Sequence, residues 1–340
     1  PRPRPPRGRP LKGHEIFERI ISLENLFCAW HEFKTGKTKK LEIQEFAVNL
    51  EDHLFGLHDD LKNKLYTHSA YTAFYVNDPK LRHIHKALVR DRVLHHAVFR
   101  VLYPIFDPLF IHDSYSCRIG KGTHRGVNRL KSFLNKASQN DSRQTWALKC
   151  DVRKFFDSID QSVLKNLIGR KVKDENALWL INQIIKSFST GSDKGLPLGN
   201  VTSQLFANIY LNELDQFIKH SLKIKYYLRY CDDFIIVSDD KDYLAELVWK
   251  IDEFLQESLK LLLHPNKVIL RPYRQGIDFL GYVVLPNYRV LRTRTKQRLL
   301  KKVQDGVSEN SFNSYLGVLK HCDGYKIETI MKPFEPKQKI

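Results

Sequence analysis

Three aspartates carry the chemistry that this sequence offers. Asp232 and Asp233 stand side by side in YYLRYCDDFIIVSDD, residues 226–240, between two apolar runs that hold neither glycine nor proline. Such runs read as paired strands, so the two adjacent negative charges fall at the turn of a β-hairpin. Carboxylates drawn into a sheet without a cationic partner cost free energy, and positive charge must therefore come from elsewhere. Asp151 ends a further short strand, ALKCD, after which the chain turns at once. Carboxylates converging in this way supply oxygen ligands for two divalent cations held about 4 Å apart, one activating an attacking oxygen and both stabilising a pentavalent phosphorus. An Asp-Asp pair is more often a solvated turn; here its apolar flanks argue for metal binding.

The elements that must position these carboxylates follow from periodicity. Residues 14–60 read as helical, in IFERIISLENLFCAWHEF and LEIQEFAVNLEDHLFGL, joined by the basic link KTGKTKK. Residues 81–110 read as a strand and then a helix that ends near Pro104. After the LKCD strand come helices in QSVLKNLIGRKV and WLINQIIKSF. The loop GLPLGN opens another helix, with Thr202 or Ser203 as its cap. The Asp-Asp hairpin, a helix in YLAELVWKIDEFLQES and a hairpin in IDFLGYVVLP complete the middle of the chain. Two helices close it, the first strongly basic with Leu299, Leu300 and Val303 inward. This order predicts an α+β domain with one antiparallel sheet, helices packed on one of its faces, and helical ends.

Composition restricts the partners. A chain of 340 residues with 42% hydrophobic residues can bury a substantial core. Its net charge is +18, of which the first 13 residues, low-complexity Pro/Arg, supply five charges and the rest of the chain 13. The body itself therefore favours polyanions, nucleic acid first among them. PRGRP within the arm is similar to an AT-hook core, but a single copy reads as a solvated basic arm. Five cysteines without a C-x-x-C pair suggest neither a disulfide framework nor zinc, and fit a reducing cytoplasm. No apolar run reaches the roughly 18 residues that span a bilayer, so no membrane partner is expected. His83, His85, His95 and His96 cluster in sequence, but strand and helix geometry scatters them, and they are not read as a metal site.

In this order, DVRKFFD, GLPLGNVTSQ, YCDD and FLGY resemble the motif series of reverse transcriptases, over about residues 65–300. The resemblance implies a right-hand polymerase fold with fingers, a palm built on an antiparallel sheet, and a helical thumb. It assigns residues 14–150 to N-terminal helices and fingers, 151–290 to the palm with a helical segment at about 161–195, and 291–340 to the thumb. It implies that Asp151, Asp232 and Asp233, with the Val152 carbonyl, hold two Mg2+ ions, for which Mn2+ can substitute. Phe156 would exclude a ribose 2′-hydroxyl. Lys80, Arg82 and Lys86 would meet the triphosphate, Leu198, Gly199 and Gln204 would line the nucleotide site, and Lys267 would be a general acid for the leaving pyrophosphate. Arg90 and Arg92 would form ion pairs or touch template phosphate. Arg118 and Lys121, in SYSCRIGKGTH, would contact template, and Gly281 and Tyr282 the primer end. Arg294, Lys296, Arg298, Lys301 and Lys302 would lay the thumb along the duplex backbone. Template RNA, primer, nascent cDNA and deoxynucleoside triphosphates are the implied partners.

Most members of that family place Gln after the proline of the glycine-rich loop and end the loop in Ser-Pro; this chain has Leu198 and Ser203-Gln204. GLPLGNVTSQLFANIYLNELD is similar to the enzymes of diversity-generating retroelements, which copy a template-repeat RNA with errors at adenine for mutagenic retrohoming. Arg82 and the aliphatic residue 198 match positions tied to that low fidelity. Losing an amide beside the nascent pair removes a constraint on template and nucleotide. This branch implies a basic helical accessory partner, the accessory variability determinant. The alternatives are a group II intron-like or phage-defence reverse transcriptase, or a non-catalytic RNA-binding relative. Leu198 and Ser-Gln argue against the intron branch, and the three carboxylates against the last. No ribonuclease H or integrase signature is legible, so RNA removal and integration are expected of other proteins.

Overall fold

A computed structural model of the protein describes residues 15–77 and 81–336; the Pro/Arg arm and Lys80 lie outside the described residues. The N-terminal helices are α1 (Ile16–Ile21), α2 (Leu23–Lys34), α3 (Leu41–Val48) and α4 (Leu50–Lys62). A hairpin of β1 (Thr72–Asn77) and β2 (Leu81–Lys86) follows, then α5 (Val89–Phe106) and α6 (Thr123–Ala137). β3 (Trp146–Asp151) runs into α7 (Phe155–Ser158), α8 (Gln161–Gly169), α9 (Glu175–Lys186) and α10 (Val201–Gln216). β4 (Tyr227–Tyr230) and β5 (Asp233–Ser238) precede α11 (Lys241–Leu259) and β6 (Ile269–Pro272). A last sheet, β7 (Ile277–Phe279), β8 (Tyr282–Val284) and β9 (Arg289–Leu291), leads to α12 (Thr293–Gln304), α13 (Glu309–Leu319) and α14 (Tyr325–Met331).

The central sheet is antiparallel in the order β4-β5-β3-β6. Phe234, Ile235, Ile236 and Val237 are all buried, which a strand shows only when both faces are covered. Phe234 and Ile236 join a core with Leu244 and Leu247 of α11, whereas Ile235 and Val237 join one with Val127 and Leu130 of α6. The expectation of one sheet with helices on a single face is thus corrected: there are three sheets among the described residues, and the central one is covered on both sides. β3, one of its two inner strands, starts at Trp146 and so spans the 150/151 boundary.

One local expectation is also corrected. Asn200, not Thr202 or Ser203, precedes α10, and both hydroxyl residues lie buried in its first turn, where the Thr202 hydroxyl is 2.9 Å from His95 Nδ1. α5 ends at Phe106, two residues past Pro104 and as expected near it; the buried Val98, Val101, Leu102 and Phe106 carry the helix through the proline. Among the described residues, no helix is long and apolar enough to cross a membrane.

Candidate active site

β3 and β5 run antiparallel in a register that sets Asp151 directly opposite Asp233. Residues paired in this way share a face of the sheet, with Cα atoms roughly 5 Å apart. The register of β4 with β5 pairs Tyr230 with Asp233, which leaves Cys231 and Asp232 as a two-residue loop. Cys231 takes φ 58°, the positive value that tight hairpin loops require at their first central residue. The Val152 amide donates to the Asp232 carbonyl at 3.3 Å, so the loop closes over the end of β3.

A side chain within the hairpin fixes this turn. Arg229 is 0% exposed; its Nε and Nη2 grip Asp215 Oδ1 and Oδ2 at 2.8 and 2.6 Å, and its Nη1 reaches the Cys231 carbonyl at 3.0 Å and Asn208 Oδ1 at 3.2 Å. The Tyr227 hydroxyl donates to the same carboxylate at 2.6 Å. A buried charge is tolerated only when fully partnered, and this one spends its surplus donors on the loop that carries Asp232.

Burial raises the Asp232 carboxyl above its ordinary range, and Asp151 beside it adds to the effect. Burial raises Asp233 as well, against the opposing influence of Lys149. Two ammonium groups meet this charge: Lys267 Nζ lies 2.6 Å from Asp151 Oδ1, and Lys149 Nζ lies 3.3 Å from Asp233 Oδ2. Asp233 Oδ1 is buried without a hydrogen-bond partner. An orphaned carboxylate oxygen among further carboxylates fits a hard divalent cation, Mg2+ or Mn2+. Among the described residues, no group of three His, Cys, Asp or Glu is drawn together tightly enough to form a metal cage by itself. Mg2+ commonly takes one or two carboxylates and completes its shell with water and substrate phosphate.

A cleft of about 700 Å³ opens beside Asp233. Arg82 lines it from β2, Gly281 from the β7–β8 turn, Tyr282 from the start of β8, and Arg292, Arg294 and Arg298 from α12 and the residue before it. Gly281 sits at φ 89° and Leu280 at 51°, the paired positive values of a type I′ hairpin loop. The Leu198 carbonyl accepts from the His85 amide at 3.2 Å, which joins the glycine-rich loop to β2. At Gly199, φ is 116° and a Cβ would stand 3.3 Å from Ile84 Cγ2, so a larger residue would push the two apart. Phe156 and Gln204 line a small pocket with Cys117 and Cys231, next to the aspartate turn.

Several candidates have partners within the protein. Arg118 has an 8% exposed side chain whose guanidinium bonds Asp107 and the carbonyls of Ile111 and Ser114, so it braces the chain. Lys121 turns its ammonium onto the His112 carbonyl at 2.7 Å and over the Tyr115 ring. The Tyr282 ring is buried and its hydroxyl donates to the Val318 carbonyl at 3.2 Å, so it holds α13 to the hairpin. Lys86 pairs with Glu42 at 2.5 Å, while Arg90 and Arg92 pair with Asp60 and Glu42, the ion-pair alternative. Lys301 and Lys302 are exposed on α12 but are not part of the cleft lining. Lys149, Asp215 and Arg229 escaped the sequence reading; an arginine inside the apolar run YYLRY was the one available signal.

Carboxylates at a strand end and an adjoining hairpin, bordered by a basic cleft, define a template-directed nucleic-acid polymerase with a right-hand fold. The family model for reverse transcriptase (RNA-dependent DNA polymerase) matches residues 77–284, and the chain belongs to that family. Its class of activity is therefore RNA-directed DNA polymerisation. It is 24% identical over 318 residues to protein YkfC of Escherichia coli K12, covering 82% of this chain and 80% of YkfC. It is 25% identical over 321 residues to the group II intron-encoded protein LtrA of Lactococcus lactis subsp. cremoris, covering 73% of this chain but 51% of LtrA. The apo telomerase of Candida tropicalis shares the fold at TM-score 0.50 and 14% identity, over 68% of this chain and 50% of the telomerase.

Proposed function

We propose that Asp151, Asp232 and Asp233, with the Val152 carbonyl, hold the divalent cations of an RNA-templated DNA polymerase. When bound, these cations would activate the primer 3′-oxygen and stabilise charge on the transferring phosphate. Arg82 would steady the triphosphate across the cleft, and Lys267, already beside Asp151, would supply a proton to the departing pyrophosphate. Phe156 would close the nucleotide site against a 2′-hydroxyl. Gly281 and the α12 arginines would hold primer and duplex. The observation that carries this reading is the buried, unpartnered Oδ1 of Asp233 in a register opposite Asp151. Its test is extension of a DNA primer on an RNA template with deoxynucleotides and Mg2+: the chain should extend it, and failure by folded protein would reject the reading.

Within that activity we propose the diversity-generating type, which copies a template-repeat RNA with adenine-biased errors. What supports it is Leu198, the aliphatic residue that this chain carries in the glycine-rich loop next to β2. The exposed Leu41, Val48 and Phe55 beside Glu45, Glu51 and Asp52 suit a basic, helical accessory protein. The likeness to LtrA favours the second reading, an intron-type enzyme. Sequencing the products of all four template bases separates them: errors concentrated at adenine support the first, and an even spectrum the second.

A further inference from the structure

Lys149 is two residues before Asp151 on β3 and so projects from the same face of the strand. Its side chain is 18% exposed, and Nζ has two oxygen partners: Asp233 Oδ2 at 3.3 Å and the Asp278 carbonyl at 3.2 Å. Asp278 in turn pairs its carboxylate with Arg292, whose amide donates to the Gly281 carbonyl at 2.9 Å. A single ammonium thus spans from one carboxylate of the site to β7, and β7 continues through Gly281 into the hairpin and α12. Lys267 is different, since it reaches Asp151 from a loop and its side chain is 39% exposed. Lys149 rises from an inner strand of the sheet, among buried neighbours.

We infer that Lys149 is a positioning residue for the cation site: it holds Asp233 by Oδ2, leaves Oδ1 to a cation, and ties that carboxylate to the hairpin on the primer side. The inference rests on reading the three aspartates as cation ligands. Groups that hydrogen-bond a ligating carboxylate fix its orientation, and losing them commonly weakens metal binding about 10- to 100-fold. A plain structural ion pair would instead affect folding stability and leave the affinity for the cation unchanged.

Mn2+ binding to the full chain without nucleic acid, followed by loss of the free-ion paramagnetic resonance signal, separates the two. Lys149→Met should weaken Mn2+ binding about tenfold or more, lower kcat for nucleotide addition with little change in the nucleotide KM, and melt cooperatively. Lys149→Arg, which keeps the charge and a donor, should recover part of the affinity. Mn2+ binding in Lys149→Met equal to or tighter than in the parent would overturn the inference. Should that variant fail to fold, Lys149→Gln gives the same comparison. Asp232→Asn keeps the failures distinct: if it binds Mn2+ as well as the parent does, the aspartate reading itself is wrong.

Discussion

Leu198 offers the sharpest residue-scale test of the proposed diversity-generating type. On the proposed diversity-generating reading, Leu198→Gln should add an amide contact to the nascent pair and lower misincorporation opposite adenine more than opposite the other bases. A tenfold change in error needs only ~1.4 kcal/mol, within reach of one hydrogen bond to a polar group. Sequenced extension products measure it, and an unchanged adenine spectrum would remove Leu198 from the fidelity mechanism. Arg229 makes a second prediction. Asp215→Ala leaves a buried guanidinium without its carboxylate and should cost about 3–5 kcal/mol in a denaturant melt. A cost below about 1 kcal/mol would mean that the pair does not hold the turn. The three aspartates drew notice in the sequence because they stand at a strand end and at a turn between two apolar runs. Arg229 and Lys149 did not, since their worth depends on partners that only the fold brings near.

At the scale of elements, hydrophobic period marked most of the helices and the Asp-Asp hairpin, because amphipathic spacing survives in sequence. β6, β9 and α14 are short, and their apolar residues are too few to set a period; strand order and two-sided burial arise from long-range pairing. One contact between elements carries a pH prediction. His95, buried in α5 between Thr202 on α10 and His68, titrates well below the ordinary 6.5, chiefly through burial. Its folded value lies below the unfolded one, so the unfolded chain binds the extra proton. The stability it confers is full above pH 6.5 and declines as pH falls below that value, by up to about 1.4 kcal/mol per pH unit. His95→Gln should flatten the melting-temperature profile between pH 6.5 and lower pH relative to the parent, and parallel profiles would contradict this assignment. On α12, Arg294 and Arg298 line the cleft. Replacing both with Ala should reduce the log-log salt slope of RNA–DNA duplex binding by about 0.9 for each phosphate no longer neutralised, and replacing Lys301 and Lys302 should reduce it less.

For the whole molecule, net charge, fold and site agree on one polyanionic substrate. A body carrying 13 of the 18 excess positive charges draws nucleic acid toward a cleft whose acidic floor would repel it without cations. Affinity should therefore be electrostatic and broadly distributed, whereas chemistry should depend on a few carboxylates. Single-nucleotide addition to a DNA primer on RNA, measured with template binding in the same Mg2+ buffer, separates these two contributions. Asp232→Asn should reduce addition at least a thousandfold, about 4 kcal/mol in activation free energy, while leaving binding of the primed RNA within a few-fold of the parent. A folded Asp232→Asn protein that adds nucleotides near the parental rate would contradict the account.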